Sequence, residues 1–130
     1  MILDTTLIVD LLRGDSDAAQ RVELLRRERR SQKISSITVL EIYEGVSRSD
    51  ATQEDAEQVL GVLDSKSVVD ADTTVMRKAG KLSGDLINRG CRIDREDCVI
   101  AATALLHDEP VLTRNTAHFE RIDGLEVRSY

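Results

Sequence analysis

The chain of 130 residues is 41% hydrophobic, 32% charged and 2% aromatic, with one proline and no tryptophan, a composition that excludes disorder, collagen-like repeats and a cysteine-stapled mini-protein. A chain this long buries roughly two-thirds of the surface its unfolded form exposes, so a single domain spanning 1–130 is expected to hold a core without disulfides or a structural metal. The longest uncharged apolar stretch, Cys98 to Leu106, is far below the ~20 residues of a membrane span, and no signal-peptide pattern opens the sequence, so a cytoplasmic protein without a membrane partner is expected.

Net charge is −6, which argues against a binder that works by blanketing phosphates. The charge is uneven, however: between Arg21 and Lys33 six basic residues face only Glu23 and Glu28. That run reads either as a solvated helix face or as a contact for nucleic acid or an acidic partner. On a helix, Arg26, Arg29 and Arg30 would share a face and Arg27 would point away. Cys91 and Cys98 lack the close pairing of a zinc site and read as free thiols.

In chain order, Met1 to Leu3 reads as a buried strand closed by Asp4, followed by a short helix over Leu7, Ile8, Leu11 and Leu12 that Gly14 ends. A second helix is expected from Asp15 to Arg30, a second strand over Ile34 to Ser36, and helices over Ile37 to Val46 and Gln53 to Leu63. Val68-Val69 gives a third strand, and Val75, Ala79, Leu82 and Leu86 recur at helical spacing up to a Gly90 cap. The helix Asp97 to His107 is apolar nearly all round, so it should pack inside. Val111 to Thr113 is a fourth strand, Ala117 to Arg121 a short helix, and Leu125 to Val127 a fifth strand. Strands alternating with helices make this an α/β chain with five short parallel strands flanked by helices.

In an open parallel sheet, ligands gather at the carboxyl ends of the strands. That edge selects Asp4 after the first strand, Glu41 early in the helix after the second, Asp97 at the start of the buried helix, and Thr113 with Asn115 after the fourth strand. Three carboxylates brought to one edge repel each other unless a cation lies between them, and such oxygen ligands suit Mg²⁺ or Mn²⁺. An ion of this kind polarises a phosphoryl oxygen, activates water and stabilises the leaving oxygen, which suits phosphodiester hydrolysis.

Each acid also has a purely structural explanation. Thr38-x-x-Glu41 matches a capping box, and Asp94 with Asp97 can complement a helix dipole. Asp4 is harder to dismiss, because a carboxylate closing a central strand is costly to bury unpaired. Asp10 reads as solvated or near the rim, Tyr43 and Phe119 as core or edge packing, and His118 either as a surface residue or as part of the pocket. A haloacid-dehalogenase phosphatase is disfavoured, since it wants a second aspartate where Thr6 stands; a phosphoacceptor Asp4 in a receiver domain is also less favoured.

Four stretches in order carry a family resemblance: Met1-Ile-Leu-Asp-Thr-Thr-Leu-Ile-Val-Asp-Leu-Leu-Arg-Gly14, Ser36-Ile-Thr-Val-Leu-Glu-Ile-Tyr-Glu-Gly45, Asp97-Cys-Val-Ile-Ala-Ala-Thr-Ala104 and Leu112-Thr-Arg-Asn-Thr-Ala-His-Phe119. Nearly end to end, the sequence resembles the PIN-domain ribonucleases, and among them the VapC toxins of toxin–antitoxin pairs. The resemblance implies a PIN-like (Rossmann-like) three-layer α/β domain with a metal-dependent endoribonuclease site. Its first, second and third acids fall on Asp4, Glu41 and Asp97, holding Mg²⁺ or Mn²⁺. A fourth acid common in the family is replaced by Asn115 or His118, with Asp94 a poorer substitute; Asn115 would coordinate or orient a water, and Thr113 would bond a neighbouring carboxylate. The resemblance also implies an RNA substrate, a VapB-type antitoxin and a homodimer. The acidic balance is then explained either by basic contacts at the Arg21–Lys33 segment and Arg114 or by a halophilic source. The alternative is a non-catalytic PIN-like RNA-binding or protein-interaction module.

Overall fold

The computed structural model describes residues 1–130. Five strands, β1 (Ile2–Leu3), β2 (Lys33–Ser35), β3 (Ser67–Val69), β4 (Val111–Leu112) and β5 (Val127–Arg128), form one sheet in the order β3-β2-β1-β4-β5. Every pairing is parallel, with Ile2 opposite Lys33 on one side and Val111 on the other. Seven helices connect them: α1 (Thr5–Leu12), α2 (Ser16–Arg27), α3 (Ser36–Arg48), α4 (Gln53–Asp64), α5 (Thr73–Asn88), α6 (Arg95–Leu106) and α7 (Thr116–Phe119).

The two-residue period of the strands builds three layers. Ile2 and Val111 point to a core shared with Val75, Leu86, Ile100 and Phe119 from α5, α6 and α7. Their neighbours Leu3 and Leu112 point the other way, to Leu7, Ile8, Leu25, Ile42 and Leu63 from α1 to α4. A one-residue register slip would exchange these faces. As its sequence leads one to expect, α6 is buried from Cys98 through Ala104. The Thr103 hydroxyl is satisfied within the helix by the Val99 carbonyl at 2.8 Å.

The chain runs outward from β1 through β2 to β3, then crosses back to place β4 on the other side of β1. The crevice between the carboxyl ends of β1 and β4 is therefore the switch point of the sheet, where diverging connections leave a gap. The Asp4 amide donates to the Leu112 carbonyl at 3.0 Å, so Asp4 is the first residue past the ladder there.

Two sequence expectations fail locally. The second helix stops at Arg27, and Arg29 adopts φ 55°, so Arg26, Arg29 and Arg30 do not share a helical face. Arg26 and Arg27 both bond Glu23 instead, at 2.7 and 3.3 Å. The fifth strand pairs through Val127–Arg128 rather than Leu125 to Val127, the register that lets the Val111 amide reach the Glu126 carbonyl and the Thr113 amide the Arg128 carbonyl. Both cysteines are free thiols. No helix is long and apolar enough to cross a membrane.

Candidate active site

Asp4 is 1% exposed, and its position follows from two local demands. It ends β1 and N-caps α1, with Oδ1 accepting from the Thr5 amide at 2.8 Å. Its Oδ2 accepts from the Thr6 and Thr113 hydroxyls, each at 2.7 Å. The buried carboxylate is thus compensated by three hydrogen bonds, which removes the penalty of an unpaired charge. Thr113 oxygen in turn accepts from the Asn115 amide at 2.9 Å, fixing the loop after β4 against Asp4.

Glu41 does not serve as a cap. Ser35 is the N-cap of α3, its hydroxyl accepting from the Ile37 amide, which places Thr38 and Glu41 inside the helix and overturns the capping-box reading. Glu41 Oε1 instead accepts from the Thr5 hydroxyl at 2.8 Å. With its single proton so used, Thr5 Oγ1 is left as acceptor for the buried Thr38 hydroxyl at 2.9 Å. Thr5 thereby touches both acids' surroundings: its amide holds Asp4 and its hydroxyl holds Glu41.

Asp97 lies in the first turn of α6, where the helix dipole favours an anion. His118 on α7 brings Nδ1 to 3.2 Å from Asp97 Oδ2. Asp94 is the N-cap residue of α6 but makes no side-chain capping bond. Asn115, at the N-cap of α7, likewise leaves its amide uncommitted to the helix.

All of these converge on a pocket of about 270 Å³ at the switch point. Asp4, Glu41 and Asp97, from positions far apart in the chain, share its wall with Asp94, Asn115 and His118. Asp10 adds a fifth carboxylate, against Arg13 as the one lysine or arginine of the lining. The electrostatic consequence is large. Burial raises the Glu41 carboxyl to about 7, opposed by the Thr5 bond and reinforced by the charges of Asp97, Glu96 and Asp4. Burial also raises Asp97 to about 6, with the Asp4 charge adding to it and the His118 bond opposing it. A pocket rich in carboxylate oxygens, two of whose acids, Glu41 and Asp97, hold their protons more tightly than usual, fits a hard divalent cation. The acids are not already drawn into a ligand shell of three. Each is tied to its own donor: Asp4 to the threonines, Glu41 to Thr5, Asp97 to His118.

Several residues behave differently from their sequence reading. Asp10 does lie at the pocket, one of its two sequence readings, but it is not simply solvated: its Oδ2 accepts from the Tyr130 hydroxyl at 2.6 Å and pairs with Arg114 at 3.3 Å. Arg114 also reaches Asp15 at 3.2 Å and stacks 4.7 Å from the Tyr130 ring centroid. Its charge is therefore engaged within the protein. Phe119 is fully buried, as expected of packing, but Tyr43 is 47% exposed and belongs to no core. Sequence reasoning missed the Thr5, Thr6 and Tyr130 contacts; a threonine pair directly after a strand-closing acid was the available signal for the first two.

The PIN domain family profile matches residues 1–125. The chain belongs to the PIN-domain family. It is 30% identical to Ribonuclease VapC1 of Methanocaldococcus jannaschii over 131 residues, covering 100% of this chain and 86% of that one. To the tRNA(fMet)-specific endonuclease VapC of Salmonella typhimurium it is 31% identical over 97 residues, 75% of this chain and 74% of the relative. Its fold superposes on a crystal structure of VapBC2 from Rickettsia felis bound to a promoter DNA fragment with TM-score 0.89 and 25% identity, covering 99% of this chain and 97% of the other. The DNA-bound VapBC of Salmonella typhimurium matches with TM-score 0.86 and 29% identity, over 98% and 96% of the two chains.

Proposed function

We propose that the protein is a VapC-type endoribonuclease that uses the Asp4, Glu41 and Asp97 carboxylates to hold Mg²⁺ or Mn²⁺ and hydrolyses RNA phosphodiester bonds. The observation that carries this reading is the gathering of three chain-distant carboxylates in one pocket, two of them pushed up to about 7 and about 6. Carboxylates that are buried and also close to one another gain most from a cation. When bound, the ion supplies Lewis-acid polarisation of the phosphate and stabilisation of the leaving oxygen. The chain's own residues do the remainder. Thr6 and Thr113 keep the Asp4 carboxylate fixed, Thr5 holds Glu41 on the same side, and Asn115 offers an uncommitted side-chain amide at the rim to orient substrate or water. A recessed acidic pocket admits an unstacked strand more readily than a stiff duplex, so single-stranded or looped RNA is the substrate class.

The named relatives include ribonucleases and a tRNA endonuclease, and the solved neighbours are toxin–antitoxin complexes, which supports a VapB-type antitoxin as the partner that restrains the enzyme. A homodimer is part of the same proposal. The test is to purify the protein free of antitoxin and incubate it with a pool of transfer RNAs, initiator tRNA included. Cleavage in Mg²⁺ or Mn²⁺ is expected, abolished by EDTA and by Asp4→Asn or Asp97→Asn. RNA binding without cleavage in either metal would instead establish the non-catalytic PIN-like module.

A further inference from the structure

We infer that His118 is a positioning residue for Asp97, holding it in the orientation that a divalent cation needs. The inference rests on the metal-site reading above. Its geometric basis is the 3.2 Å approach of Nδ1 to Asp97 Oδ2 between α7 and α6, the two residues lying 21 positions apart in sequence. A carboxylate accepts only, so the imidazole must donate from Nδ1, in the neutral Nδ1–H tautomer or when doubly protonated alike. With Oδ2 engaged in this way, the rotation of the carboxyl group is fixed and Oδ1 is the oxygen left for an ion.

Nothing else in the structure performs this task. Asp4 has three donors and Glu41 has Thr5, whereas the Asp97 side chain has His118. Phe119, the next residue and completely buried, anchors α7 in the core and holds the short helix in place beside α6. His118 itself is 40% exposed and Asp97 14%, so the imidazole is a polar screen over the carboxylate on the solvent side, and replacing it opens no cavity in the core. Metal-site partners that orient a ligand from outside change cation affinity by about 10–100-fold when removed.

Two substitutions separate the role of Nδ1 from that of the ring. Asparagine places an amide N–H near the position of Nδ1, whereas glutamine reaches toward the position of Nε2. Calorimetric titration of the antitoxin-free protein with MgCl₂ and MnCl₂ is expected to show affinity reduced about 10–100-fold in His118→Ala and His118→Gln and largely restored in His118→Asn. Thermal unfolding in EDTA should be nearly unchanged in all three, which separates a lost orientation from a lost fold. Affinity in His118→Ala within twofold of wild type, or rescue by glutamine rather than asparagine, overturns the assignment and leaves the metal site standing. A wild type that binds neither cation overturns the site reading and this assignment together.

Discussion

Glu41 shows how one residue's surroundings set a property of the whole pocket. Burial and three neighbouring carboxylates hold its carboxyl near 7, above the ordinary value of 4.5. The folded protein therefore keeps a proton that the unfolded chain has released, so the contribution of Glu41 to metal-free stability is complete below about 4.5 and is lost as pH rises toward 7. Asp97 acts in the same direction between its ordinary 3.8 and about 6. Urea unfolding in EDTA should accordingly show the wild type losing stability between pH 5 and pH 7, with Glu41→Gln much flatter over that range. A wild-type curve that rises there would contradict the crowding of the acids. Cation binding competes with those same protons, so Mg²⁺ stabilisation should be larger at the upper end of the range.

Glycine announces two of the helix ends; the end of α2, which carries none, falls three residues before the sequence reading has it. Four helices finish in the same left-handed motif, with the residue past the cap at positive φ and paired amide bonds back to the last turn. After α1 and α5 that residue is Gly14 and Gly90, which the sequence announces. After α2 and α6 it is Arg29 at φ 55° and Asp108 at φ 51°. The bonds are those of a Schellman turn in each case: Arg30 amide to Leu25 carbonyl at 2.9 Å, and Glu109 amide to Ala104 carbonyl at 2.9 Å. Arginine in this conformation carries a steric cost of roughly 1 kcal/mol that glycine does not. Arg29→Gly should therefore raise the melting temperature by about 2–5 °C, measured by calorimetry, despite removing a surface charge. Asp108→Gly should gain less, since aspartate tolerates this region better than arginine. A lower melting temperature in Arg29→Gly would mean that its side chain makes a contact the backbone argument overlooks. The same turn accounts for the basic segment: α2 ends at Arg27, so Arg29 and Arg30 lie beyond the helix and share no face with Arg26.

Across the whole molecule, Glu109 ties together the amino ends of three adjacent strands. Leading into β4, it accepts from the Met1 ammonium at 2.7 Å before β1 and from Lys33 at 3.0 Å in β2, with Ser31 at 3.1 Å. Partial burial works against its charge, but the ammonium and Lys33 bonds outweigh this and bring its carboxyl to about 2. Because the folded value lies below the ordinary 4.5, its contribution is complete above 4.5 and is lost as pH falls toward 2. The two halves of the sheet thus respond oppositely to acid, since the acids at the carboxyl edge favour protonation. Glu109→Gln should lower stability at pH 7 by about 2–3 kcal/mol and flatten unfolding between pH 4.5 and 2, followed by urea denaturation. Equal acid sensitivity in the variant and wild type would remove Glu109 from this role.

The sequence by itself determined the order of strands and helices, the buried character of α6, and Asp4, Glu41 and Asp97 as the acids of the carboxyl edge. These are local matters of hydrophobic period, glycine and position relative to strand ends, and they survive without knowing which distant segments meet. The tertiary structure alone decided that β4 lies beside β1, that Thr5 serves two acids at once, that Tyr130 closes over Asp10, and that His118 faces Asp97. Each joins residues whose separation along the chain carries no periodic signal. A hydrogen-bond partner is chosen by the folded geometry, whereas the hydrophobic pattern records only which face of an element is to be buried.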